Sequence, residues 1–164
     1  MPDPDLRIVR ADYADPAHAA ALVELLDHYA QDPAGGGAPL SDFARDNLVA
    51  ALAARPFIFS VLAFEGDEAV GLVNAIEGFS TFACRPLVNI HDVVVRETHR
   101  GRGIAARLFA EVEAVARERG ACKLTLEVLS ENHAARGLYA KLDFDDYRLD
   151  PAMGEARFMQ KWLD

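Results

Sequence analysis

The chain has 164 residues, of which 51% are hydrophobic and 26% are charged, and its formal net charge is −9. This length and composition predict a folded globular chain with its own core and exclude a disordered one. The dense basic cluster from Arg96 to Arg107 is short, so we expect no nucleic-acid partner, which would require a broad basic face. No apolar run approaches the roughly 20 residues of a membrane-spanning helix, so no membrane partner is expected.

The cysteines and the N-terminus bear on where the protein works. Cys84 and Cys122 lie far apart and form no C-x-x-C pair, which favours a reducing cytoplasm. Free cysteine is among the most buried residue types, so we expect both side chains to be buried. The acidic N-terminus, residues 1–5, lacks the apolar stretch of a signal peptide. The sequence therefore predicts a cytoplasmic location.

Hydrophobic periodicity and turn residues predict the element order β-α-α-β-β-β-α-β-α-β. The first strand covers Leu6–Arg10, and Asp15 with Pro16 is typical of a helix N-cap followed by the first helical residue. A loop over residues 32–39, rich in glycine and proline, separates this helix from a second one, which Ser41 caps.

The middle of the chain is rich in strands. We expect strands over residues 57–64, 69–75 and 87–95, with a hairpin turn at 65–68 between the first two. The third strand ends in three valines and is apolar on both sides, which indicates a central strand covered on both faces.

The remaining elements complete a single α/β domain over residues 1–164 with a mixed sheet and helices on both faces. They are a helix from Ile104 to a stop at Gly120, a strand over 124–129, a short helix opened by Asn132, and a last strand over 156–163.

The segment Arg96–Ala105, RETHRGRGIA, lies between a strand end and a helix start. The N-terminus of a helix offers unpaired backbone N–H groups and the positive end of the helix dipole. Gly101 and Gly103 remove the Cβ atoms that would keep an anion from the backbone, and Arg100 and Arg102 add charged donors. The segment therefore predicts a phosphate site. The alternative is a glycine-containing turn with solvated arginines.

Two other phosphate-binding patterns fit less well. A Walker loop needs Lys followed by Ser or Thr after its second glycine, and neither occurs here. The dinucleotide pattern G-x-G-x-x-G/A is met by Gly101, Gly103 and Ala106. However, five residues separate Val95 from Gly101, whereas that fold has its first glycine almost directly after the strand.

Three stretches of the sequence occur in the order and at the separation of one family's motifs. They are Val93-Val94-Val95 through Arg100-Gly101-Arg102-Gly103-Ile104-Ala105, then Leu124-Thr125-Leu126-Glu127-Val128, then Asn132 to Phe144, which follows N-x-x-A-x-x-L-Y-x-x-x-G-F. Together they resemble the GNAT superfamily of N-acetyltransferases, over about residues 89–144. The resemblance implies a mixed, mostly antiparallel central sheet with two splayed parallel strands and helices on both faces.

The resemblance has one departure. Asp143 stands where the family usually has glycine. Aspartate is among the few other residues that adopt a left-handed backbone. We therefore expect a strained, left-handed backbone at Asp143 and little change in function.

The resemblance further implies that acetyl-CoA is the co-substrate and that its pantetheine arm enters the gap between the splayed strands. Backbone groups of Val93, Val94 and Val95 would pair with that arm. The pyrophosphate would rest on the backbone amides of Arg100, Gly101, Arg102, Gly103, Ile104 and Ala105. Asn132 matches a residue that contacts the CoA arm, although asparagine is also a good helix N-cap.

Two proton-transfer roles are implied as well. Tyr139 matches the tyrosine that protonates the departing CoA thiolate; the alternative is a buried tyrosine whose hydroxyl bonds to the backbone. For the general base, His91 lies near the position where some members carry a glutamate, and imidazole is a suitable base at neutral pH. A strand bulge would present Asp92 instead, and Glu127 is a further candidate. The alternative for His91 and Asp92 is a structural hydrogen bond between strands.

The resemblance therefore predicts an acyltransferase that moves an acetyl group from acetyl-CoA to a primary amine of a small molecule or amino acid, directly, in a ternary complex. The alternative is a non-catalytic module that binds CoA as a sensor or partner protein, and the presence of Tyr139 favours the enzyme. Many relatives are dimers, so a homodimer is one option, although nothing in the sequence fixes it. No metal is expected, because the five histidines form neither H-x-x-x-H nor H-E-x-x-H.

Overall fold

The computed structural model describes residues 5–163, which form two compact units, one ending at Leu126 and one beginning at Glu127. Residues 1–4 and 164 lie outside the described range, and with them most of the acidic N-terminus discussed above. A division by compactness does not by itself make two independently folding domains. The single domain over residues 1–164 therefore stays a prediction.

In the first unit a five-stranded sheet packs against helices. Its strands are β1 (Leu6–Arg10), β2 (Ile58–Glu65), β3 (Glu68–Ser80), β4 (Arg85–Val95) and β5 (Leu124–Leu126). Its helices are α1 (Pro16–Gln31), α2 (Asp42–Ala53) and α3 (Ile104–Glu118). These elements follow the predicted order, and the strand predicted over 124–129 ends at Leu126.

The strands lie in the order β1-β2-β3-β4-β5, antiparallel throughout except for the parallel pair β4–β5. This confirms the predicted mixed, mostly antiparallel sheet. The parallel pairing is short: it runs from Val88 opposite Leu124 to Ile90 opposite Leu126, while β4 continues five residues further, to Val95.

Helices cover both faces of the sheet. Neighbouring residues of β3 point to opposite faces, so one contacts α1 and the next contacts α3. Leu72 is fully buried and packs in one cluster with Leu22 and Leu25 of α1. Gly71 faces α3: a Cβ atom there would lie 3.0 Å from Leu108 Cδ1, so glycine permits the close approach of that helix. Burying a leucine side chain contributes about 1.5–3 kcal/mol, and these two layers form the core.

β4 contains a bulge at His91. Asn74 of β3 lies opposite Asp92 and Ala75 opposite Ile90, so His91 has no partner residue across the ladder. An extra residue reverses the face that each following side chain occupies. Ile90 therefore lies on the α3 side of the sheet with Ala75, whereas Asp92 lies on the α1 side with Asn74.

The predicted helix starts are confirmed at the level of atoms. The Asp15 carboxylate accepts from Ala17 N at 2.8 Å, with Pro16 in the first turn. Ser41 Oγ accepts from Ala44 N at 3.1 Å. Both caps satisfy backbone donors that the helix itself leaves unpaired.

The second unit contains α4 (His133–Lys141), which Asn132 opens as predicted. Asn132 Oδ1 accepts from Ala135 N at 3.1 Å. After the helix, Asp143 has φ +62°, which confirms the left-handed backbone expected where the family usually has glycine.

The last predicted strand is wrong. Residues 156–163 have no regular secondary structure, and their large apolar side chains are exposed: Phe158, Met159, Trp162 and Leu163. A segment rich in large apolar residues forms a strand only where a neighbouring strand supplies hydrogen bonds. Sequence pattern alone does not provide that partner.

The cysteine expectation is wrong for Cys84, which is exposed at the β3–β4 hairpin tip with φ +50°, and Cys122 is partly exposed rather than buried. A hairpin tip has no packed layer around it, so the general burial preference of cysteine does not apply. Within residues 5–163, none of the helices is long and apolar enough to cross a membrane.

Candidate active site

The segment between β4 and α3 folds into a tight turn around two glycines. A 3-10 turn at Glu97–His99 follows β4. Gly101 and Gly103 then have φ +77° and +79°, a conformation that other residues adopt only with strain. A Cβ atom at either glycine would have nothing within 4 Å. The turn is therefore open to a ligand rather than filled by the protein.

α3 begins without a side-chain cap, unlike the other described α-helices. Asp15, Ser41 and Asn132 cap α1, α2 and α4 with their own oxygens, whereas the N-cap of α3 is Gly103, which has no side chain to do so. The first backbone N–H groups of α3 and its positive dipole end are therefore suited to an external anion.

The two arginines of this turn have different surroundings. The Arg102 guanidinium pairs with both carboxylate oxygens of Glu65, at the end of β2, and its Nη1–Oε2 distance is 3.2 Å. His99 Nε2 lies 2.9 Å from the same Glu65 carboxylate. Arg100 is more exposed, donates to Val95 O at 3.1 Å and lies 3.9 Å from Asp32. The Arg102–Glu65 pair therefore links the turn to the end of β2, whereas the Arg100 side chain is exposed.

The three valines lie where β4 passes beyond β5. Val93, Val94 and Val95 pair with β3, and Val94 is 4% exposed in the α1 core cluster. The β4–β5 pairing stops at Ile90, so the described part of β5 does not pair with β4 at these three residues. The Val94 side chain belongs to the core, and those of Val93 and Val95 are partly buried. The backbone of all three residues forms a strand edge of the kind that binds extended ligands.

The bulge separates the two residues predicted as base candidates. His91 is the extra residue and is exposed. Asp92 is half-buried, and its Oδ2 accepts from Asn74 Nδ2 at 3.0 Å. Glu127, the third candidate, is exposed and belongs to the second unit.

Sequence reasoning missed the polar residues behind Asp92. Ser60 and Asn74 are 2% and 5% exposed, inside strands whose neighbouring residues are apolar, and Tyr13 bonds to Ser60. The available signal was a single polar residue in each of two apolar runs. It could not show that the two positions lie opposite each other, since that depends on strand register.

Tyr29, on α1, interacts electrostatically with Asp92. Burial raises the pKa of the Tyr29 hydroxyl, and the nearby carboxylates of Asp92 and Asp32 raise it further. The carboxylates of Asp92 and Asp32 therefore each lie within electrostatic reach of the Tyr29 hydroxyl near the C-terminal end of α1, and Asp32 also lies 3.9 Å from Arg100. A cation such as a protonated amine would be attracted there.

The remaining two predicted site residues belong to the second unit. Asn132 caps α4, as described, so its N-cap role is present. Tyr139 lies on α4, is half-buried, and its ring packs against Phe144 with the ring centroids 6.0 Å apart. Within residues 5–163, no three His, Cys, Asp or Glu side chains form a group that could hold a metal ion.

Comparison with known proteins now identifies the family. A sequence profile described as "Acetyltransferase (GNAT) family" matches residues 22–144. The streptothricin acetyltransferase of Streptomyces lavendulae is 36% identical over 88 residues, or 52% of this chain and 47% of that protein. The uncharacterized N-acetyltransferase YobR of Bacillus subtilis (strain 168) is 32% identical over 80 residues, or 49% of this chain and 29% of YobR. The chain thus matches less than half the length of either relative.

Solved structures show the same fold. A crystal structure of a probable acetyltransferase matches with a TM-score of 0.79 at 21% identity, covering 96% of this chain and 99% of that one. An aminoglycoside acetyltransferase from an uncultured soil metagenomic sample, in complex with trehalose, matches with a TM-score of 0.76 at 16% identity, covering 99% and 97%. The chain belongs to the acetyltransferase (GNAT) family, which confirms the family predicted from the motifs.

Proposed function

We propose that this chain transfers an acetyl group from acetyl-CoA to a primary amine of a small molecule, directly, within a ternary complex. The observation that carries the proposal is the open glycine turn at the start of α3. It combines left-handed glycines at 101 and 103, empty space around them and an uncapped helix N-terminus. A pyrophosphate needs these three features to approach backbone amides.

The chain's own groups account for each part of the donor. Backbone amides from Arg100 to Ala105 would hold the pyrophosphate. The edge of β4 at Val93–Val95 would pair with the amides of the pantetheine arm, with Val95 O giving up its bond from Arg100 Nε. Asn132 would contact that arm in addition to capping α4. Acetyl-CoA itself would supply the acetyl group and leave as CoA.

The acceptor is proposed to be a cationic amine. The carboxylates of Asp92 and Asp32, close to Tyr29, and the formal net charge of −9 both attract a protonated amine. Two similar proteins are named as a streptothricin acetyltransferase and an aminoglycoside acetyltransferase, which favours a small molecule over a protein acceptor.

Two side chains would move the protons. Asp92 takes one proton from the ammonium group, so that the nitrogen lone pair can attack the thioester carbonyl. The C–S bond breaks, and Tyr139 gives its proton to the leaving sulfur. The second amine proton replaces the one that Tyr139 lost, and Asp92 releases its proton to solvent. The products are the acetylated amine, CoA with its thiol proton, and one proton.

A cytoplasmic location, without nucleic-acid or membrane partners, belongs to the same proposal. Both cysteines are free, which fits a reducing compartment, and the acidic net charge does not suit a nucleic-acid backbone. A homodimer stays a prediction from the family.

Binding and turnover test the proposal separately. Calorimetric titration of the purified protein with acetyl-CoA, CoA and NADH is expected to show micromolar binding of acetyl-CoA and no response to NADH. A thiol-release assay across small-molecule amines should then find an acceptor, with sequential kinetics. Tight NADH binding without acetyl-CoA binding would overturn the proposal. Acetyl-CoA binding without turnover on any amine would point to the non-catalytic module instead.

The base is tested by a matched pair of variants in the same assay. Asp92→Asn keeps the shape of the side chain but removes the base, so kcat should fall by about 10²- to 10⁴-fold with acetyl-CoA binding intact. His91→Gln is the control and should keep kcat near the wild-type value. The reverse result would assign the base to His91.

A further inference from the structure

A row of hydrogen-bonded side chains crosses the sheet on the α1 side and ends at Asp92. The Tyr13 hydroxyl oxygen lies 2.9 Å from Ser60 Oγ. Ser60 Oγ donates to Asn74 Oδ1 at 2.6 Å, and Asn74 Nδ2 donates to Asp92 Oδ2 at 3.0 Å. Ser60 lies opposite Asn74 in the β2–β3 pairing, and Asn74 opposite Asp92 in the β3–β4 pairing. The row therefore runs straight across three neighbouring strands.

The hydrogen bonds of this row all run in one direction. Ser60 has a single hydroxyl proton, which goes to Asn74, so Tyr13 is the donor to Ser60. Turning the Asn74 amide over would set its carbonyl oxygen against a carboxylate oxygen of Asp92, where both groups only accept. The orientation with Nδ2 toward Asp92 suits a negatively charged carboxylate.

Stability alone does not require this row. Ser60 and Asn74 are almost completely buried, while Val61 and Val73 beside them are fully buried apolar residues. A buried polar group without its partner is costly, and apolar side chains at both positions would avoid the risk. Each member of the row depends on the next, and the row leads to one of the proposed catalytic groups.

We infer that Tyr13, Ser60 and Asn74 are positioning residues that hold the Asp92 carboxylate in the orientation in which its second oxygen takes a proton from the amine. This inference rests on the proposed function. Asn74 fixes Oδ2, and within residues 5–163 this is the hydrogen bond that the Asp92 side chain makes, so Oδ1 is left to face the acceptor.

The step itself is a single proton transfer. The amine N–H bond breaks, its electron pair stays on nitrogen, and the proton goes to Oδ1, so that Asp92 becomes neutral. Asp92 lies on the part of β4 that passes beyond the β5 pairing, and the bulge at His91 puts its side chain on the α1 side of the sheet. The row thus fixes the carboxylate at the point where the strand edge becomes available.

The test compares variants of the row with a matched control in the acetyl-transfer assay. Asn74→Leu keeps a branched side chain but removes the donor to Asp92. We expect kcat to fall by about 10- to 100-fold, because a misplacement of about 1 Å has an effect of that size. The KM for the amine and the Kd for acetyl-CoA should stay within about twofold, as for an interaction that matters only in the transition state.

Two further variants separate positioning from packing. Ser60→Ala should lower kcat less than Asn74→Leu, and Ser60→Thr, which restores a hydroxyl, should recover most of the loss. Thr125→Val is the control: it removes a hydroxyl from a similar cross-strand pair, in which Asn89 Nδ2 donates to Thr125 Oγ1 at 3.1 Å. Its kcat should be unchanged. Tyr13→Phe alters only the far end of the row and replaces Asn74→Leu if that variant does not fold.

The outcomes distinguish this inference from the proposed function. If Asp92→Asn is nearly inactive while the Asn74 and Ser60 variants turn over like wild type, the row does not position Asp92 and the inference is wrong. The inference also fails if these variants change only KM or acetyl-CoA binding. If no amine supports turnover, or if Asp92→Asn is fully active, the proposed function fails and the inference fails with it.

Discussion

Gly103 and Gly120 lie at opposite ends of α3 and share one backbone conformation. Their φ angles are +79° and +73°, and a Cβ atom at either would have nothing within 4 Å. Gly120 ends the helix in a Schellman arrangement, with its N–H on Arg117 O and the Ala121 N–H on Ala116 O. The two glycines therefore differ in role, although a residue with a side chain would be equally strained at either position.

The two glycines allow a test that separates the effect of backbone strain on stability from the effect of a Cβ atom on acetyl-CoA binding. Alanine at either position must adopt a left-handed backbone, so Gly103→Ala and Gly120→Ala should each lose about 1–2 kcal/mol of unfolding free energy. Only Gly103→Ala places a Cβ atom in the space proposed for the pyrophosphate. Chemical denaturation should show equal losses, and calorimetry should show weakened acetyl-CoA binding for Gly103→Ala alone.

Equal weakening of acetyl-CoA binding in both variants would contradict a phosphate site at Gly103, since it would show that strain in α3 is the cause. Unchanged binding in Gly103→Ala would contradict it as well.

For single residues, the sequence predicted the features that depend on the next few residues in the chain. The caps at Asp15, Ser41 and Asn132 and the left-handed Asp143 follow from residue chemistry within one turn of chain, and the structure confirms them. The hydrogen bond from Asn74 to Asp92 joins residues far apart in the sequence. It depends on the exact register of two strands, which no local pattern specifies.

Among the strands, β4 pairs differently before and after its bulge at His91. Before His91 it pairs on both sides, and after it the described part of β5 no longer follows. A bulge disrupts the ladder locally and bends its strand, which is what an opening between two parallel strands requires. A bulge was one of two options for this strand from the sequence alone, because the residues around His91 fit a strand with or without an extra residue.

Deleting His91 tests this element. The pairs on either side, Asn74 with Asp92 and Ala75 with Ile90, would stay in register, so the sheet should form with an unbroken ladder. We expect native-like circular dichroism and cooperative thermal unfolding, but loss of acetyl-CoA binding because β4 no longer bends away from β5. His91→Gly keeps the extra residue and serves as the control, with binding retained.

Full acetyl-CoA binding by the deletion variant would show that the bulge does not form the opening. An unfolded deletion variant beside a folded His91→Gly variant would show instead that the bulge relieves strain in the sheet.

The predicted secondary structure was wrong for a segment whose pairing strand would lie far away in the sequence. The nine elements from β1 to α4 have strong periodicity or turn signals and are confirmed in order. The tail over 156–163 carries large apolar side chains, yet it remains irregular. Such a composition suits a half-buried strand but does not show that a strand edge is available to the segment.

Across the whole molecule, two half-buried tyrosines couple stability to alkaline pH. Burial raises the pKa of Tyr13, and burial with the nearby carboxylates of Asp92 and Asp32 raises the pKa of Tyr29. Their folded pKa values thus exceed the unfolded value of about 10. The folded state keeps these protons longer, so the contribution is fully present below about pH 10 and is lost as the pH rises through the folded values.

Thermal unfolding across about pH 9 to 11 checks this linkage. The double variant Tyr13→Phe/Tyr29→Phe has no such protons to lose, so its Tm should fall less steeply with pH than that of the wild type. Tyr147→Phe, at a tyrosine that is 62% exposed, should follow the wild-type curve. Parallel curves for all three proteins would contradict the linkage.

The exposed tail also determines what a common optical probe would report. Trp162 is the single tryptophan of the chain, and it is 84% exposed in the irregular segment after Gly154. Its emission therefore samples solvent and the tail, not the packed sheet. Unfolding of the core would pass largely unseen in tryptophan fluorescence, whereas a molecule that covers the tail would shift the emission while the core stays intact.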